Sequence, residues 1–446
     1  MPSRKRTVRV ALLVAIVVLA APTAIDFLTQ EGTTAAAPDA VDTPEVTVNS
    51  TATLDRPKGH VAYVVDAQGP GQLTILNRTT GEVVYRTTEY NLYHDVDPSP
   101  AGRYTVQYVA SIILGNEQCP DDIEGLCTRN VVDRLNYSTG ERERLYARTL
   151  NYNGSSNTHD VDRVDEDRFL IGDIQFDRVY TVDVGTGEID WVWNAAAEFD
   201  RSTGGKKGDW THLNDVEIVE EGLYMVNLRN QDQVVFVDRE EGMLENMTLG
   251  AEDDYDILYE QHNPDYIPEE RGGPAILVAD SENSRIVEYQ RRNGTWNRSW
   301  TWADETIQWP RDADRLPNNN TLITDTHGTR LVEVTPNGSI VWEHTVPRGV
   351  YEAELLWTGD ESRSGRSMAA IQGVTNVSNA TDYGGVSDSL ERDFRELFPS
   401  LVLNGFLYVL PTWISPLAGA MLLLATVLAA LWLLGEVGRY GYLRFR

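Results

Sequence analysis

Between residues 158 and 342 short apolar runs alternate with polar turn clusters in a fixed order. One unit reads Thr158-His-Asp-Val-Asp-Arg-Val, Arg168-Phe-Leu-Ile-Gly-Asp173, Arg178-Val-Tyr-Thr-Val-Asp183 and Thr186-Gly-Glu-Ile-Asp-Trp-Val-Trp193. β-Branched and aromatic residues bounded by Gly, Asn and Asp predict four short strands. The order returns in His212-Leu-Asn-Asp-Val-Glu, Leu223-Tyr-Met-Val-Asn and Val234-Val-Phe-Val-Asp. It returns from His262 through Ala275-Ile-Leu-Val-Ala-Asp280 and Arg285-Ile-Val-Glu-Tyr to Trp296-Asn-Arg-Ser-Trp300. A further copy starts at Pro310-Arg-Asp-Ala-Asp and runs to Gly338-Ser-Ile-Val-Trp342. Two looser copies begin near His60 and at His94-Asp-Val-Asp.

Starts at 159, 212, 262 and 310 lie 53, 50 and 48 residues apart. A period of about 50 residues with four strands is that of a propeller blade. The chain is therefore expected to be all-β, a β-propeller of about six blades over 59–360. A linear solenoid would need capping units, which the sequence lacks. Residues 29–58 and 361–411 read as a linker and as a linker with a juxtamembrane segment.

Both ends are apolar. Arg4-Lys-Arg6 followed by the run from Val10 to Ala21 reads as a signal peptide or signal anchor over 1–28. The run from Ile414 to Leu434 predicts a transmembrane helix over 412–436. Arg439, Arg444 and Arg446 in the tail 437–446 would face the cytoplasm. The propeller is thus expected outside the cell membrane. Asn-x-Ser/Thr sequons, among them Asn77, Asn136, Asn153, Asn376 and Asn379, fit that side as glycan acceptors. In an exported chain, the two cysteines, Cys119 and Cys127, are expected to form one loop disulfide.

Lys+Arg total 38 against 68 Asp+Glu, a formal charge of -30. Such an excess disfavours nucleic acid and anionic lipid as partners. With lysine scarce, it suggests adaptation to high salt, as in a halophilic archaeon.

Candidate chemistry sits at repeat starts. His94, His159, His212 and His262 open their units, and repeat-equivalent positions in a propeller share radius and height. The expectation is a converging histidine cluster; the bland alternative is that His-Asp-Val-Asp only ties neighbouring blades. The pairs Asp173/Arg178, Asp280/Arg285 and Asp325/Arg330 read as structural. Two residues past each second strand the units supply Gln175, Arg229, Glu282 and His327, with a one-residue expansion and local bulge expected at Arg229. Variation on a repeated frame is what an asymmetric site requires.

Trp210-Thr-His212-Leu-Asn214, Val226-Asn-Leu-Arg229-Asn, Gln261-His262-Asn-Pro, Arg315-Leu-Pro-Asn-Asn-Asn and Val341-Trp-Glu, in this order, resemble the arylsulfotransferase family over roughly residues 155–350. The resemblance implies an exported six-bladed propeller that moves a sulfuryl group from a phenolic sulfate to a phenol acceptor. Transfer would pass through a sulfohistidine, with no cofactor and no nucleotide sulfate donor. It implies His262 as nucleophile, His212, Asn214 and Arg229 around the sulfuryl oxygens, and His159 as a further catalytic histidine. His327 and His94 are candidate substrate-binding residues from the repeat. Two departures from the family are expected: no extra N-terminal β-domain, and a membrane helix. The competing reading is a non-catalytic cell-surface propeller for protein or glycan binding. A metal or quinone site is disfavoured because no close ligand motif such as His-x3-His occurs.

Overall fold

In the computed structural model, residues 56–66, 70–304, 306–347, 349–359, 365–373, 382–383 and 416–444 are described. The described strands form six sheets, antiparallel except where Asp382–Tyr383 pairs in parallel with Thr295–Trp302. Blade I has its inner strand at Leu92–Pro98, followed outward by Thr105–Leu114, Cys127–Asn136 and Glu141–Asn151. The inner strands of blades II to V are Thr158–Arg163, Leu213–Glu220, His262–Ile267 and Asp312–Arg315.

Blade VI corrects the expected start near His60. Its inner strand is Val350–Leu355, from the far end of the propeller sequence. His60–Val65, Gln72–Asn77 and Glu82–Thr87 complete it outward. Val61 to Val64 pair with Leu355 to Glu352. Both ends of the repeat array thus share one sheet, and backbone hydrogen bonds close the ring.

The Asp of His-Asp-Val-Asp ties blade to blade. Asp160 and Asp162 of blade II accept hydrogen bonds from Val216 and Ile218 of blade III, both 2.7 Å. Glu217 of blade III accepts from Tyr266 of blade IV, 2.7 Å. Asp312 accepts from Ala353, 3.0 Å, and Glu352 accepts from Val96, 2.8 Å. Each carboxylate satisfies an inner-strand N–H that has no sheet partner on that side, and a charged acceptor is worth about 1.5–3 kcal/mol. The Asp–Arg pairs hold the hairpins between second and third strands: Arg178 Nε to Asp173 2.9 Å, Arg285 Nε to Asp280 2.6 Å, Arg330 Nε to Asp325 2.8 Å. Tryptophans fill the outer blade interfaces. Trp191 Nε1 donates to the Arg239 carbonyl and Trp342 Nε1 to that of Arg78, each on the following blade.

Cys119 and Cys127 form a disulfide in the loop joining two strands of blade I. Asn77, Asn136 and Asn153 accept N–H bonds from residues two positions ahead, so three sequon asparagines also serve as turn caps. Within the expected linker, Met368–Gln372 forms a helical turn. The Met368 N–H donates to Glu288, which also pairs with fully buried Arg315 at 3.0 Å.

A helix runs over Pro416–Arg444 in a separate unit. The expected transmembrane span is not supported: among the described residues no helix is long and apolar enough to cross a membrane. The leader expected over 1–28, residues 29–55 of the expected linker 29–58 and the sequons Asn376 and Asn379 lie outside the described residues.

Candidate active site

Each of the six blades delivers one ring or guanidinium to a common cluster at the start of its inner strand. The residues are His94, His159, His212, His262, Arg311 and Tyr351, in blade order. His94 and His159 have ring centroids 4.1 Å apart, and His159 and His212 5.3 Å. Tyr351 is the hub, 5.2 Å from His94, 5.5 Å from His159 and 6.0 Å from His262. The Arg311 guanidinium lies 4.8 Å from the Tyr351 ring centre and 5.1 Å from that of Trp309. His212, Glu260, Asn263 and Trp309 adopt left-handed backbone, with φ of 46, 44, 36 and 54°. Each such non-glycine residue costs about 1–3 kcal/mol, and strain of this kind gathers at functional sites.

Hydrogen bonding sets which imidazole nitrogen is available. His262 Nδ1 lies 2.8 Å from Ser281 Oγ and 3.1 Å from the Glu260 carbonyl oxygen. Ser281 Oγ gives its own proton to the Pro310 carbonyl at 2.7 Å. Both neighbours of Nδ1 are therefore acceptors, which assigns the proton to Nδ1 and the lone pair to Nε2. His212 follows the same logic: its Nδ1 meets Asp209 Oδ1 at 2.6 Å, leaving Nε2 basic.

Burial, followed by Arg311 and Arg229, pushes His262 well below the usual histidine range. Burial and the neighbouring histidines do the same to His159. His212 falls to about 4 through burial and Arg229, against the upward pull of Asp209. The bond from His212 holds Asp209 at about 2. All three imidazoles are thus neutral at pH 7, with their nucleophilic or basic form populated.

Two guanidiniums flank the imidazoles. Arg229 pairs with Glu260, the residue whose carbonyl orients His262. Arg311 lies 3.5 Å from Asp66, as does His94 Nε2. Despite burial, His94 and Arg311 hold Asp66 at about 2. Arg229 Nε, Arg311 Nε, His159 Nδ1 and the Tyr351 hydroxyl are buried without a hydrogen-bond partner in the protein. Buried polar atoms are nearly always paired, so four orphans in one cluster mark a place built for a polar ligand. Two of them are cationic donors, which suits an anion.

The sequence-predicted residues divide. His94, His159, His212 and His262 meet, and Arg229 joins through Glu260. Asn214 does not serve as a free donor: it accepts from Asn227 at 2.6 Å and donates to the Gln261 carbonyl at 3.4 Å. It braces the residue before His262. His327 packs edge-on to Trp309 at 4.3 Å, one ring removed from the cluster. His60 bonds Tyr137 and His344 stacks on Trp342, both elsewhere.

The expected expansion at Arg229 is absent. Leu228 pairs with Gln233 as Asp173 pairs with Arg178, so the hairpins have equal length. Arg229 therefore matches Ile174, Ser281 and Thr326 rather than His327. The equivalence to Ser281 is informative, because both positions address His262. Sequence reasoning missed Arg311, Tyr351, Asp209, Ser281 and Asp66. A signal existed for two of them: Arg311-Asp-Ala-Asp and Tyr351-Glu-Ala-Glu repeat the frame of His159-Asp-Val-Asp with the first residue exchanged.

The fold and cluster define a six-bladed propeller with histidines, an arginine and a tyrosine gathered where its inner strands begin. Residues 174–346 match the model of a family described as Arylsulfotransferase (ASST). The matched stretch includes His212, Arg229, His262, Arg311 and His327, and leaves His94, His159 and Tyr351 outside. No curated protein matches the chain. Among solved structures, the chain is similar to a protein of unknown function from Bacteroides caccae (12% identity, TM-score 0.45, covering 67% of this chain and 98% of that one). It is similar to a putative 6-phosphogluconolactonase from Bacteroides fragilis (13%, 0.40, 68% and 99%). A periplasmic gluconolactonase from Pseudomonas aeruginosa is a third (10%, 0.41, 66% and 98%).

Proposed function

We propose that the propeller transfers a sulfuryl group between phenols, with His262 carrying it between donor and acceptor. The observation that carries this reading is the set of four unpartnered buried polar atoms beside an imidazole whose Nε2 lone pair is free. The family match over residues 174–346 supports the reaction class.

In the first half, His262 Nε2 attacks the sulfur of a bound aryl sulfate. The N–S bond forms as the bond from sulfur to the aryl oxygen breaks, and the phenolate leaves to be protonated by solvent. In the second half, an acceptor phenol gives its proton to His212 Nε2 while its oxygen attacks sulfur. The N–S bond breaks, His262 regains its lone pair, and His212 passes the proton to solvent. A covalent relay divides one difficult step into two. Transferring sulfuryl oxygens carry spread negative charge, as in phosphoryl transfer, and the Nε–H groups of Arg229 and Arg311 are donors set in advance for it. Asp209 orients His212 and stabilises its protonated form.

An extracytoplasmic location belongs to this proposal. The Cys119–Cys127 disulfide supports it, because such bonds persist in oxidising compartments.

The test incubates the full chain with a chromogenic aryl sulfate and a phenol acceptor at high salt. Expected are acceptor-dependent colour release and a sulfuryl adduct on His262 by peptide mass spectrometry after rapid quench. His262→Ala should lose both while keeping its circular dichroism. An adduct on another residue, or transfer surviving in His262→Ala, would overturn the assignment. Absence of transfer to every phenol tried would favour a binding propeller.

A further inference from the structure

The strand that closes the ring carries an irregularity at Tyr351. Glu352 pairs with Val64 and Val350 with Val65, so Tyr351 is the extra residue of a β-bulge. His94 has the same place in blade I, where Asp95 pairs with Val109 and Tyr93 with Ala110. A bulged residue leaves the ladder and its side chain is re-aimed, a device common beside active sites. Blade VI thus brings a phenol to the level where blades I to IV bring imidazoles.

The Tyr351 ring has duties that a phenylalanine could fill. It belongs to the apolar core that includes Tyr93, Val96 and Leu356, and it presents a face to Arg311. The hydroxyl has no such duty. Tyr351 is 1% exposed, and its hydroxyl is buried without a protein partner. Burying a hydroxyl unpaired costs free energy that a phenylalanine would not incur. Other buried tyrosines show the usual solution: Tyr90 and Tyr108 donate to Asp133 at 2.7 and 3.2 Å, and Tyr289 donates to the Ile257 carbonyl at 2.8 Å. Arg311 Nε, on the face of the Tyr351 ring, is unpaired as well. Two donors with no protein acceptor therefore stand side by side.

We propose that Tyr351 is a catalytic hydrogen-bond donor whose hydroxyl binds the aryl oxygen of the sulfate ester as the bond from that oxygen to sulfur breaks. This role rests on the transfer proposed above. The sulfuryl oxygens carry negative charge before, during and after transfer, and the two guanidiniums suit them. The aryl oxygen gains its charge only as its bond to sulfur breaks. A donor waiting there lowers the barrier rather than only tightening binding. Attacking and leaving atoms lie roughly in line in such displacements. The partner of the leaving oxygen must then stand across the sulfur from His262 rather than against it. The Tyr351 ring lies 6.0 Å from that of His262, edge to face. Burial holds the Tyr351 hydroxyl above the usual phenol range, so it donates a hydrogen bond and keeps its proton. The phenolate still departs to be protonated by solvent, and the balance of both half-reactions is unchanged. Tyr351 lies outside the residues that match the family model, so the strand that closes the ring also completes the site.

The test compares the full chain with its Tyr351→Phe variant, which keeps the ring and the face offered to Arg311. Single-turnover phenol release is timed for phenyl sulfate and for 4-nitrophenyl sulfate, whose nitro group already spreads the developing charge. Expected is a loss of about 10- to 100-fold for phenyl sulfate, with a markedly smaller loss for the nitrophenyl ester. Steady-state KM for either donor should hardly change. The urea midpoint of Tyr351→Phe should hold or rise, because an unpaired hydroxyl has been removed. Equal losses for the two esters, or no loss, would overturn the role. A lowered urea midpoint would show the hydroxyl to be holding the fold and would overturn it too. A sulfuryl adduct on the Tyr351 oxygen in place of His262 would make it an acceptor and overturn it equally. Transfer that proceeds alike in wild type and Tyr351→Phe sinks only the role of Tyr351, whereas a wild type that transfers nothing sinks the transferase reading and this role together.

Discussion

Asp209→Asn isolates the role given to His212. The carboxylate accepts from His212 Nδ1 at 2.6 Å, and it lies three residues ahead on the same loop. The substitution keeps the backbone contacts of residue 209, whose N–H donates to the Lys206 carbonyl and whose carbonyl accepts from Asn230. When His212 takes the acceptor's proton it becomes a cation beside that carboxylate. A charge-assisted bond contributes about 1.5–3 kcal/mol. Coulomb attraction at about 4 Å with an effective dielectric near 20 is about 4 kcal/mol. Losing about 2–4 kcal/mol from the deprotonation step slows it roughly 30- to 1,000-fold. Only the second half-reaction uses His212 as base. Stopped-flow mixing with a chromogenic aryl sulfate should therefore show an undiminished burst of one equivalent of phenolate in Asp209→Asn, followed by a slowed steady state. KM for the donor should hardly change. An unaltered steady-state rate, or equal loss of burst and steady state, would refute the division of labour between His262 and His212.

The interblade ties predict that Asp162→Ala, which orphans the Ile218 N–H, costs about 1–3 kcal/mol in urea unfolding with the strand signal retained; a cost below about 0.5 kcal/mol would show the tie to be incidental. Stability should also fall between pH 6.5 and 5. His212 binds a proton near 4 in the fold but near 6.5 when unfolded, so acid favours the unfolded chain across that window. From this group alone the loss is about 2 kcal/mol by pH 5, with His159 and His262 shifted the same way. His212→Asn should flatten the slope, and a pH-independent urea midpoint would contradict the buried neutral cluster.

The sequence by itself determined the architecture. A strand-turn pattern with a period near 50 residues and no capping units points to blades around an axis, because each four-stranded sheet needs neighbours on both faces. It also determined that repeat starts share a level in the channel, and so brought four histidines together on paper. It could not divide His-Asp-Val-Asp into its two jobs. The carboxylates tie neighbouring blades while the imidazoles form the cluster, because successive side chains on a strand meet different surroundings.

Only the tertiary structure decided the rest. Ring closure takes the inner strand of blade VI from residues 350–355, which put Tyr351 rather than His60 among the histidines. Hairpin register, set by backbone pairing, placed Arg229 level with Ser281 instead of His327. Asp209, Glu260 and Ser281 gained their meaning from distances of about 3 Å, which no spacing along the chain encodes. The physical reason is common to all of these. Periodicity reports which way a residue faces, whereas a proton's position on an imidazole depends on which acceptor the folded loops bring to it.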